Sequence, residues 1–114
     1  MKAVKKEAND IYGAIYQLVH LCPRGRVTSY GAIAAALGVK SGARLVGYAM
    51  NNCNKAELNV PAHRVVNRNG MLTGKHHFLT PTQMQELLEA EGIRVENDTV
   101  VDFDKVFWDP SIEI

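Results

Sequence analysis

No apolar run in this 114-residue chain approaches the ~20 residues needed to cross a bilayer, which excludes a membrane-spanning helix, and no membrane partner is expected. A signal-type segment is lacking too. The basic start, "MKAVKKEAND", runs into Tyr12, Gly13 and Gln17, which belong to an amphipathic pattern and not to an uninterrupted apolar stretch. The chain is therefore expected in the cytoplasm, associated with the nucleoid if its source is bacterial. Cysteine is scarce: Cys22 and Cys53 have no CxxC spacing, so a disulfide framework is not expected and both thiols should be free in a reducing compartment. His76 and His77 are adjacent, without a second cluster at ligand spacing, so no metal site is expected. Repeats and low-complexity segments are also missing. A hydrophobic content of 46% and a charged content of 22% fit one globular domain over residues 1–114, with a single modest core.

Acidic residues are nearly missing from the first two thirds of the chain. Residues 1–75 hold eleven Lys/Arg against Glu7, Asp10 and Glu57, a net of +8. Residues 76–114 hold two bases against nine acids, a net of −7. The overall charge of +1 thus hides a split that suits one face to a polyanion and gives the molecule an acidic back that limits non-specific sticking.

The apolar spacing of Ala8, Ile11, Ile15, Leu18 and Val19 predicts a helix from Glu7 to His20, stopped by Cys22-Pro23. After the turn "RGRV", Thr28 or Ser29 can cap a second helix through "AIAAAL", ending at Gly38. Ser41 can cap a third, running to about Asn52, with Leu45, Val46, Ala49 and Met50 inward and Arg44 and Tyr48 on a shared outer face. Two short helices around "GVKS" predict a helix-turn-helix. "HRVVNRNGMLTG" then reads as a strand, a type I′ turn at Asn69-Gly70 and a second strand, the wing of a winged helix. Thr80, Pro81 and Gln83 form a capping-box signature for a helix through "QMQELLEAE" that stops at Gly92. "IRVENDTVVDF" predicts a last hairpin turning at Asn97-Asp98, and Phe103, Phe107 and Trp108 a terminal aromatic anchor. The expected class is mainly α with small β hairpins, a winged helix-turn-helix.

The chemistry concentrates in "NVPAHRVVNRNG". His63 follows a proline-stiffened turn, and Glu91 ends a later helix; a Glu-His pair is what activates a neighbouring nucleophile by removing its proton. The neighbour is Ala62, a methyl group.

Four stretches, "RGRVTSYGAIAAALG", "ARLVGYAMNN", "VPAHRVVNRNGMLTG" and "LLEAEGI", resemble the C-terminal DNA-binding domain of the O6-alkylguanine-DNA alkyltransferases in order and spacing, across roughly residues 11–93. Those enzymes carry a Pro-Cys-His-Arg motif whose cysteine takes the alkyl group irreversibly. A replaced cysteine in a retained fold marks the alkyltransferase-like proteins, which bind alkylated guanine without repairing it and pass the lesion to nucleotide excision repair proteins. The resemblance implies that Arg44 is the finger that enters the duplex in place of a flipped nucleotide, and that Tyr30 rotates the lesion's 3′ phosphate. It implies that Gly47 lets the third helix approach the minor groove. Tyr48 and Arg68 complete the DNA-facing set. His63 and Glu91 match the activating pair, idle beside Ala62, and Arg64 a structural arginine. The carbonyls of Ala62 and Val65 are left to accept from the guanine amino group, and the lost sulfur slightly widens the pocket. Lys75 falls where the enzymes carry tyrosine and could contact guanine O6 or N7. The hinge asparagine is Asn52 or Asn54. The implied partner is double-stranded DNA containing O6-alkylguanine, bound by a monomer with no cofactor.

Other readings compete with the sensor. One is an active alkyltransferase using Cys53 or Cys22, or an engineered Cys-to-Ala form of such an enzyme. The other is a winged-helix regulator reading one operator sequence.

Overall fold

The computed structural model describes residues 2–39, 42–52 and 59–114, with side chains from residue 11 onward. The first helix, α1 (Lys2–Leu21), starts five residues before the expected Glu7, and its stripe is as predicted: Ile15, Leu18 and Val19 are buried. Side chains before residue 11, Ala8 among them, lie outside the described set, as do Ser41, Cys53 and Asn54.

Of the two candidate caps for α2 (Tyr30–Leu37), Ser29 serves: its Oγ accepts from Ala32 N–H at 3.1 Å. The helix ends where Gly38 turns left-handed (φ 69°) and donates its N–H back to the carbonyls of Ala34 and Ala35. Helix α3 (Gly42–Asn51) packs on α2. A methyl on Gly42 would collide with the Ala34 side chain, so this glycine is what lets the two helices touch. Val46, Ala49 and Met50 point inward to Ile33, Ala34 and the α1 stripe, and the Tyr16 hydroxyl donates to Ala49 C=O at 2.7 Å. These contacts make the helix-turn-helix part of the core.

The expected wing hairpin does not form. Its first half supplies a short 3-10 turn (Ala62–Arg64) and strand β2 (Val65–Val66), and β2 pairs in parallel with β1 (Thr28–Ser29), Thr28 beside Val65. Met71, from the other half, bridges to Thr99 instead. The Asn69-Gly70 turn is not type I′, because only Gly70 has positive φ (81°). Burial explains the outcome: Val65 and Val66 are both buried, one in each core cluster, which an exposed two-stranded wing could not achieve.

Helix α4 (Gln83–Ala90) begins two residues later than Thr80-Pro81 suggests. Thr82 is its N-cap residue without a side-chain capping bond, and Gln83 Oε1 reaches back to accept from Leu79 N–H at 2.9 Å. The final hairpin, β3 (Val95–Glu96) and β4 (Thr99–Val100), is as predicted, with both turn residues, Asn97 and Asp98, left-handed. Two short helices, α5 (Phe103–Val106) and α6 (Pro110–Glu113), end the chain. Phe103 and Phe107 pack with ring centroids 5.3 Å apart, and Trp108 is buried in the helical core.

Gly42 and Gly47 on α3 should respond oppositely to alanine. Gly42→Ala is expected to destabilise by about 1–3 kcal/mol through overpacking. Gly47, whose added methyl would meet nothing within 4 Å, should gain about 0.5–1 kcal/mol from helix propensity. Urea unfolding of both variants checks this, and the reverse order would contradict the α2–α3 packing.

Candidate functional site

The loop into the motif is wound tightly. Asn59 is left-handed (φ 55°), and Pro61 (φ −77°, ψ 66°) centres an inverse γ-turn closed by Ala62 N–H donating to Val60 C=O at 2.7 Å. Arg64 N–H then donates to Pro61 C=O, and Val65 N–H to Ala62 C=O. The Ala62 carbonyl keeps one lone pair for another donor.

Glu91, the C-cap residue of α4, ties this turn to the rest of the molecule. Its side chain is only 4% exposed. One carboxylate oxygen lies 2.7 Å from His63 Nε2 and accepts from Arg64 Nη2 at 2.8 Å; the other accepts from Gly25 N–H at 2.9 Å. Arg64 also donates to Cys22 C=O at 2.9 Å, and Arg24 to Ala90 C=O at 2.9 Å. Burial alone would raise the Glu91 pKa. The Arg64 guanidinium, the Gly25 N–H and His63 more than offset that and bring it down to about 2. His63 is held below its ordinary range, because burial outweighs the attraction of Glu91 and the charges of Arg64 and Arg24 push the same way. A neutral imidazole facing an ionised carboxylate donates its Nε2–H.

Two separate clefts flank this motif. The first is lined by Tyr30, Asn51, Ala62, Val65, Gly74 and His77 among others, and holds only about 10 Å³, room for about one water. The second, about 440 Å³, is lined by Arg24, Pro61, His63, Arg64, Leu87 and Glu91 among others. They share no residue. Ala62 therefore faces one cleft while the His63–Glu91 pair borders the other.

Tyr30, the first residue of α2, is mostly buried in the first cleft. Burial raises the pKa of its hydroxyl, opposed by a hydrogen bond with the Thr73 side chain. Gly74 lies against that hydroxyl, at 3.0 Å from where a Cβ would be. Arg44 and Tyr48 are exposed on the outer face of α3, with Gly47 between them. Arg68 is exposed in the turn before Gly70. Neither Arg44 nor Arg68 makes an ion pair among the described residues. Lys75 opens a 3-10 turn (Lys75–His77) between the lining residues Gly74 and His77 without lining the cleft itself, and its ammonium lies 2.6 Å from Asp98 Oδ2. Of the two hinge candidates, Asn52 donates its side-chain amide to Tyr48 C=O at 2.8 Å, and Asn54 lies outside the described residues. Asn51 lines the first cleft. Sequence reasoning misses it because only the folded backbone tells the adjacent asparagines apart. Cys22 is buried and lines neither cleft. Burial pushes its thiol up to about 12 against the lowering pull of Arg64 and Arg26, so it is a poor nucleophile.

A helix-turn-helix whose second helix presents an arginine on an open face, beside a cleft, is an arrangement that DNA-binding domains use. The chain belongs to the family of the 6-O-methylguanine DNA methyltransferase DNA-binding domain, whose model matches residues 10–93. It is 34% identical over 87 residues to alkyltransferase-like protein 1 of Schizosaccharomyces pombe, covering 76% of this chain and 80% of that one. It is 33% identical over 108 residues to the DNA base-flipping protein of Escherichia coli, covering 91% of this chain and 79% of that one. The structure of S. pombe Atl1 in complex with damaged DNA containing O6-carboxymethylguanine superposes with a TM-score of 0.77 at 29% identity, covering 88% of this chain and 95% of that chain. Other relatives are longer: the chain spans 33% and 30% of two bifunctional methyltransferase/endonucleases.

The Glu91 cluster has a signature in acid. A carboxylate whose folded pKa lies below its unfolded value adds stability that is complete above the unfolded value of 4.5 and lost as pH falls toward 2. His63, also depressed, adds a loss in the same direction below its ordinary 6.5. Glu91→Gln should therefore be less stable than the parent at neutral pH, and that gap should shrink by on the order of 3 kcal/mol toward pH 2. Urea unfolding at neutral and acid pH reads the gap; a constant gap would show that Glu91 is not the hub.

Proposed function

We propose that this chain is a non-enzymatic sensor of O6-alkylguanine in duplex DNA. It flips the damaged base into the cleft beside Ala62 and holds it there without alkyl transfer. It then directs the lesion to nucleotide excision repair proteins, and it competes with any alkyltransferase for the same base. The observation that carries this reading is the side chain at the cleft wall. Ala62 offers a methyl carbon, with no lone pair to attack an alkyl group and no accessible ionisation, in the position where the enzymes of the family carry cysteine. The Glu91 carboxylate is already committed to Arg64 and Gly25, so the His63–Glu91 pair works as a strut for the motif.

In this reading α3 enters the minor groove. Gly47 has no internal steric need to be glycine, so its small size serves a surface outside the protein. Arg44 stacks in the vacated position, since a flat guanidinium can both stack and hydrogen-bond to the orphaned base. The first cleft, with room for about one water, opens as the base enters. Similarity to Atl1, solved with damaged DNA, supports the lesion as ligand.

A duplex with one O6-methylguanine should bind more tightly than its unmodified twin in a fluorescence anisotropy titration. Arg44→Ala should weaken binding to the damaged duplex by about 1–3 kcal/mol. Equal affinity of the parent protein for both duplexes would remove the lesion from the proposal.

A further inference from the structure

Resting on the lesion-binding reading, we infer that Asp98 is a positioning residue that holds Lys75 away from DNA phosphates and reserves it for a base entering the cleft. The β3–β4 turn lies against the segment that forms one wall of that cleft. Leu72 N–H donates to Asp98 C=O at 2.9 Å, Val100 N–H donates to Gly70 C=O at 2.9 Å, and Lys75 Nζ donates to Asp98 Oδ2 at 2.6 Å. Gly74 and His77, on either side of Lys75, line the cleft together with Ala62. Asp98 comes from the acidic part of the chain, so this pair neutralises a cation of the basic part beside the lining residues Gly74 and His77.

An unrestrained ammonium at this point would contact phosphate on any duplex, strengthening damaged and undamaged binding alike. Paired with Asp98, it gains little from a passing backbone. The ammonium carries three N–H donors, so one can stay on Asp98 while another goes to a neutral acceptor that comes within reach. The O6 and N7 edge of guanine supplies such acceptors only once the base is inside the cleft. Asp98 thus turns a contact that would be indifferent to damage into one conditional on it.

Asp98→Asn removes the charge and keeps the fold, because asparagine tolerates the left-handed backbone (φ 59°) and the Leu72 bond goes to the main chain. Binding of the parent, Asp98→Asn, Lys75→Met and the double variant to damaged and undamaged duplexes is measured across a salt series, with melting curves confirming that each variant is folded. Asp98→Asn should tighten undamaged binding several-fold, steepen its salt slope by about 0.9, one phosphate contact, and lower the ratio of damaged to undamaged affinity. In the Lys75→Met background the same change should do nothing. An unchanged slope and ratio in Asp98→Asn, or the same shift with Lys75 removed, overturns the inference. Loss of damage preference in the parent protein would instead overturn the lesion reading, and the salt slope on undamaged DNA would still report whether Asp98 restrains Lys75.

Discussion

One carboxylate organises the motif. Glu91 joins the end of α4, the 3-10 turn at Ala62–Arg64 and the backbone of the turn at Gly25, with Arg64 carrying the connection on to Cys22. A buried pair of this kind is hard to break, since removing one partner leaves a charge without compensation, at about 3–5 kcal/mol. The position of Ala62 against its cleft comes from this anchoring, because Ala62 is the first residue of the turn that Glu91 holds. Burial keeps His63 neutral against the pull of Glu91. Arg64 already supplies the positive charge that Glu91 needs, so the imidazole can stay uncharged and still donate a hydrogen bond.

The two halves of the chain interact through their charges. Among the described residues, three ion pairs run from the basic part to the acidic part: Arg26 with Glu113, Arg64 with Glu91, and Lys75 with Asp98. Each takes one cation out of the basic field, while Arg44 and Arg68 remain exposed and make no ion pair among the described residues. The acidic segment is therefore more than a solvated back. It selects which cations face a polyanion, and it leaves available one on the outer face of α3.

Signals confined to a few residues are legible in the sequence. The α1 stripe, the Ser29 cap, the left-handed Gly38 and the Asn97-Asp98 turn each depend on neighbours within one or two turns of chain, and each is present. The wing is not legible, because the partner of Val65 is Thr28, far back in sequence, and an alternating pattern does not say which strand it will meet. The start of α4 is displaced from its sequence signature because Leu79, just before the expected cap at Thr80, takes the Gln83 side chain. The motif residues are all visible in the sequence, but nothing there shows that Ala62 and His63 border different clefts, nor that Lys75 is paired. Those depend on how Glu91 and the last hairpin dock, which no local pattern encodes.

In this account the cleft beside Ala62 holds an alkylated base and does not dealkylate it. The direct test is to incubate excess protein with a duplex carrying a radiolabelled O6-methyl group, then separate protein from DNA under denaturing conditions. The label should remain in the DNA and the intact protein mass should be unchanged. Label on the protein, with a mass increase of one methyl group, would contradict the account and return the chain to the transferases.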